Sequence, residues 1–121
     1  MKTTIIKVNG VEYPAVFSTR VLTNMEEKTG KPFEQAMTEI MQENSISTMF
    51  WLVDQLLQAG YKYTKAQGDA GVKIPPSYDD LLDIVGVDDY AELFSQATGS
   101  MTFGKIQTEA IKKEETIQGN A

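Results

Sequence analysis

The chain has 121 residues, 41% hydrophobic and 23% charged; 11 basic and 17 acidic side chains give a net charge of −6, and there is neither cysteine nor histidine. That length suits one domain around one core. Without Cys or His there are no disulfides, no thiol or Ser-His nucleophiles and no usual zinc or haem ligands, and the acidic balance argues against a nucleic-acid partner.

Residues 3–8 and 11–17 are rich in β-branched side chains and flank Asn9-Gly10. Both central residues of a type I′ turn need φ above zero, which Asn and Gly tolerate, so the spacing predicts a hairpin. Ile6 and Val8 alternate with Ile5 and Lys7, and Val11, Tyr13 and Phe17 alternate with Glu12 and Val16. A lone hairpin is marginal in water, so its apolar face must lie on the helices that follow. The opening MKTTIIKVNG lacks the apolar run of a signal peptide, and a cytoplasmic location is expected.

Ser18 is placed to cap a helix through Thr29, with Val21, Leu22 and Met25 as its stripe and Gly30 at its end. Pro32 opens a second helix, Phe33 to Glu43, with the stripe Phe33, Ala36, Met37, Ile40 and Met41. Ser47 is the expected cap of the central helix, ISTMFWLVDQLLQAGYKY, from Ile46 to Tyr63. At 100° per residue, Ile46, Met49, Phe50, Leu52, Val53, Leu56, Leu57, Gly60, Tyr61 and Tyr63 form one very wide apolar face, the mark of a helix that others surround. Trp51 falls on the other side with Asp54, Gln55, Gln58 and Lys62. The uncharged run from Ile46 to Val53 is too short for a bilayer span, and no membrane partner is expected.

QGDAGVKIPP, residues 67–76, reads as an exposed loop. Ser77 with Asp80 starts a helix from Tyr78 to Val85, which presents Tyr78, Leu81, Leu82 and Val85 and stops at Gly86. Asp88 is the expected cap of a last helix bearing Tyr90, Leu93, Phe94 and Ala97. After Gly99 the period is lost: 99–111 read as an extension of unassigned form and 112–121 as a polar tail expected to be disordered. The fold class is mainly α (α+β): an N-terminal β-hairpin on a bundle of about five helices around a long central one, in a domain spanning 1–111.

Four features invite a functional reading. GSMTFGKI matches the start of the phosphate-loop pattern, but Ile106 stands where Ser or Thr would bind magnesium, and a helical pattern precedes it; a helix end is the plainer reading. Asp79, Asp80, Asp83, Asp88, Asp89 and Glu92 lie in a stretch, Ile74 to Gly104, without Lys or Arg. They lack the spacing of a calcium loop; they either complement helix dipoles or form an acidic patch for a basic partner, for which Asp79, Asp83, Asp89 and Glu92 are the candidates. The methionines on the stripes serve either as core or as an adaptable binding surface. Trp51, with Gln55 and Gln58, is either buried under the hairpin or held out for a partner. Nothing marks a catalytic pair, so neither enzymatic activity nor a cofactor or metal is expected.

Several stretches carry a family resemblance. Asn9-Gly10-Val11-Glu12-Tyr13, Phe17 before the first helix, Glu26-Glu27-Lys28-Thr29-Gly30-Lys31, Phe33, and Ala59-Gly60-Tyr61-Lys62-Tyr63, with short acidic helices after Pro75-Pro76, resemble the tail assembly chaperones of siphophages and related prophages. The resemblance spans roughly residues 1 to 97; the position of Trp51 and the QGDAGVK loop depart from the family pattern. It implies a non-enzymatic, mainly helical protein that binds the tape measure protein, keeps it soluble, helps recruit the tail tube protein around it and is absent from the finished virion. Self-association is a further partnership left open. The alternative is a structural tail component, a terminator or connector, that stays in the particle.

Overall fold

A computed structural model describes residues 2–43 and 45–101. An antiparallel hairpin, β1 (Thr3–Val8) and β2 (Val11–Val16), is followed by helices α1 (Thr19–Thr29), α2 (Phe33–Glu43), α3 (Ile46–Ala66) and α4 (Tyr78–Ile84). A fifth helix, α5, occupies residues 90–101, where the description ends. The architecture is the expected α+β one, with the hairpin and the shorter helices gathered on α3.

Local chemistry sets most boundaries. Asn9 and Gly10 take φ of 51° and 81°, which lets Val8 pair with Val11 across a two-residue turn. The Ser18 and Ser77 hydroxyls accept hydrogen bonds from Val21 N–H and Asp80 N–H, so both caps form as the spacing predicts. The cap of α3 is Ser45, not Ser47: its hydroxyl accepts from Thr48 N–H at 3.1 Å and its carbonyl from Met49 N–H. The helix entering at Ile46 needs a partner for donors one turn in, and only the residue just before it has the extended backbone a cap requires.

The core is the α3 face, with Met49, Phe50, Leu52, Val53, Leu56 and Leu57 buried, joined by Ile6, Val8, Ala15, Val21, Met25, Ile40, Leu81, Leu93 and Ala97. Ile46, counted in the apolar face, is instead 52% exposed, because it opens the helix beyond the reach of its neighbours. Met25 and Met49 are buried in this core. Gly60 marks the place where β2 crosses α3: a Cβ there would overlap the Pro14 carbonyl and come within 2.8 Å of Ala15 Cα. Val16, expected to alternate away from the core, is also fully buried.

At the other end of the chain, helix α5 continues through Gly99 and Ser100 to Met101, past the expected break. Ala97 and Met101, one turn apart, are both buried, and Ser100 Oγ lies 2.6 Å from Thr4 Oγ1 on β1. Burial on one face outweighs the weak helix propensity of Gly99. Gln96 Oε1 accepts from Lys7 N–H at 2.7 Å, so α5 lies along the side of β1 that β2 leaves free. Phe94 meets Phe50 edge to face, with ring centres 5.1 Å apart, and ties α5 to α3. The remaining positions of GSMTFGKI and the expected tail lie outside the described residues. Among the described residues no helix is long and apolar enough to cross a membrane.

Candidate functional site

The hairpin turn, the end of α4 and the start of α5 meet at one corner. Asn9, held at positive φ, turns its amide so that Nδ2 donates to the Ile84 carbonyl at 2.7 Å. That carbonyl belongs to the last turn of α4, where helical carbonyls have no intrahelical donor. The chain then reverses over 86–89, where Asp89 N–H bonds to the Gly86 carbonyl, and α5 begins. The cap position of α5 falls on Asp89, whose carbonyl accepts from Leu93 N–H, rather than on the expected Asp88.

These contacts leave a cleft of about 270 Å³ between turn and helix. Val8, Val85 and Leu93 line its apolar part, and Lys7, Asp89 and Glu92 supply the charges. Just outside, Ile84 is 47% and Val87 87% exposed, apolar side chains left in water in a protein that closes most of its other stripes. Asp79, Asp80, Asp83 and Asp88 are exposed on α4 and the following turn. None of these carboxylates is ion-paired among the described residues, where the single ion pair joins Lys31 to Glu39. No three acidic side chains converge as metal ligands among the described residues.

The positions singled out from the sequence therefore separate. Asp89 and Glu92 line the cleft, while Asp79 and Asp83 lie on the solvent side of α4. Trp51, Gln55 and Gln58 are half-buried and already engaged within the chain. Trp51 is half-buried against the core, and Lys28 of α1 stands over its ring with Nζ 4.8 Å from the ring centre. Gln55 Oε1 accepts from Asn24 Nδ2 of α1 at 2.6 Å. Gln58 Nε2 donates to Asp54 Oδ1 at 3.4 Å. Burial pushes the Asp54 carboxyl above its ordinary 3.8, opposed by the Gln58 bond and the backbone N–H of Tyr78.

Sequence reasoning missed Lys7, Ile84 and Val87 at this corner. The signal for Val87 was present, since a branched apolar residue between Gly86 and two aspartates has no helical stripe to join. Lys7 belongs to the corner only because the hairpin turn folds back onto α4.

Searches against protein-family models, curated proteins and solved structures find no match to this chain.

Proposed function

We propose that this protein is a tail assembly chaperone of a siphophage or related prophage, acting without catalysis in the cytoplasm of a bacterial host. It binds the tape measure protein, keeps it soluble and assists recruitment of the tail tube protein. The reading begins from the resemblance over residues 1 to 97. The structural observation that supports it is the α4–α5 corner, where Ile84 and Val87 stand in water among carboxylates that have no ion-pair partner among the described residues. A surface of this kind suits a protein that holds a partner non-covalently by apolar and charged contacts.

The test is co-expression with the tape measure protein encoded beside its gene. Co-purification and a higher soluble yield of that protein are expected; an unchanged yield removes the chaperone reading. Mass spectrometry of purified particles separates the chaperone from a terminator or connector, which would remain in the virion.

A further inference from the structure

We infer that the α4–α5 corner receives a basic amphipathic helix of a partner protein, with one Lys or Arg of that helix entering the cleft beside the hairpin turn. Only the identity of the partner rests on the chaperone reading; the chemistry of the surface is independent of it.

The cleft has two kinds of wall. Part-exposed Val85, over the nearly buried Val8 and Leu93, gives the methylene stem of a long cationic side chain an apolar floor, and Asp89 and Glu92 of the same lining take its charged end. Outside it, Ile84 and Val87 give the apolar face of a helix something to cover. The surroundings select the sign of the partner. No Lys or Arg occurs from Ile74 to Gly104, and the exposed carboxylates of α4 and the following turn have no ion-pair partner among the described residues. An acidic helix or an anionic lipid surface meets repulsion there. A second copy would set this acidic corner against another surface of a chain whose net charge is −6. A divalent cation lacks a convergent ligand set among the described residues. A basic helix satisfies both the apolar and the charged part of the surface.

Lys7 supplies an internal control. It is the one cation lining the cleft among the described residues, so it opposes the incoming charge, and its neutralisation should tighten binding while neutralisation of Asp89 or Glu92 weakens it.

The experiment uses the full chain and two dye-labelled synthetic peptides of Leu, Ala and Lys or of Leu, Ala and Glu, patterned so that one helical face is apolar and its flanks are charged. Anisotropy gives affinity, and amide chemical shifts map the contact. The Lys peptide is expected to bind, to shift amides over residues 84–93, and to bind less tightly as salt rises. Asp89→Asn with Glu92→Gln should lower its affinity about tenfold, and Lys7→Gln should raise it about twofold. Val87→Ser should weaken binding without changing the melting curve, because the side chain is 87% exposed. Absent binding, equal binding of the Glu peptide, shifts centred elsewhere, or an unchanged affinity in the double variant each overturns the proposal. Co-expression with the tape measure protein separates the two readings. If the double variant solubilises it as well as the wild type does, the corner is wrong and the chaperone stands; if the wild type fails, the chaperone reading falls and the peptides still judge the corner.

Discussion

Gly60 of α3 lies so close to Pro14 of β2 that no side chain fits between them. In a solvent-facing helix, Gly→Ala stabilises by roughly 1 kcal/mol through reduced backbone freedom. Here the new methyl meets backbone atoms, which cannot move aside as a side chain would, and overpacking costs about 1–3 kcal/mol or more. Gly60→Ala is therefore expected to destabilise the protein by a net ~2 kcal/mol in urea unfolding. A gain in stability would show that β2 does not sit on α3 in this way.

Trp51 and Lys28 form a stacked pair in which Trp51 provides most of the energy. Trp51→Ala should cost about 2 kcal/mol, less than a fully buried tryptophan because the ring is only half covered. Lys28→Met keeps the covering stem and loses the charge, so about 0.5–1 kcal/mol should go. Equilibrium unfolding of both variants, followed by circular dichroism because Trp51 is the sole tryptophan, measures the two losses.

Asp54 gives stability a pH dependence with a definite sign. Its folded carboxyl binds protons more tightly than the unfolded one, because desolvation outweighs the bonds from Gln58 and Tyr78. Its contribution is then fully present below the ordinary value of 3.8 and is lost as pH rises through the raised folded value. Asp54→Asn keeps an acceptor and carries no charge. The variant should gain over the wild type as pH rises from acid to neutral, and parallel urea titrations across that range check it; a gain confined to acid pH would reverse the assignment.

The bond from Lys7 N–H to Gln96 Oε1 joins the first strand to the last described helix. Gln96→Ala should speed hydrogen exchange at the Lys7 amide more than at the ladder amides of Ile6 and Val8, with a loss of about 1 kcal/mol in stability. Uniform protection across all three would show that α5 does not close that side of β1.

Much of the fold was legible because its signals are local. The Asn9-Gly10 turn, the Ser18 and Ser77 caps, Gly30 at φ 70° and the 3.6-residue stripes each depend on a few adjacent residues. What failed to show depends on distant ones. Gly99 looked like a stop until Ser100 found Thr4 and Met101 found the core. Gly60 was readable as part of an apolar face, but not as the contact that needs a missing Cβ. The acidic patch was legible as charge. Its division into cleft and solvent-facing carboxylates was not, because Lys7, Val8 and Asn9 reach the corner from the other end of the sequence. For Trp51, helical phase places the ring opposite the stripe without saying that Lys28 of α1 stands over it.

The two sides of the hairpin carry a last consequence. A strand with open amides and carbonyls invites another chain to add to the sheet, and many recognition domains work in that way. Here Pro14 has no amide to offer, its carbonyl is pressed against Gly60, and Gln96 occupies the Lys7 amide. Addition of a strand at Lys7 or at Pro14 would first require α5 or α3 to leave. At those positions the backbone of the hairpin is already engaged within the fold.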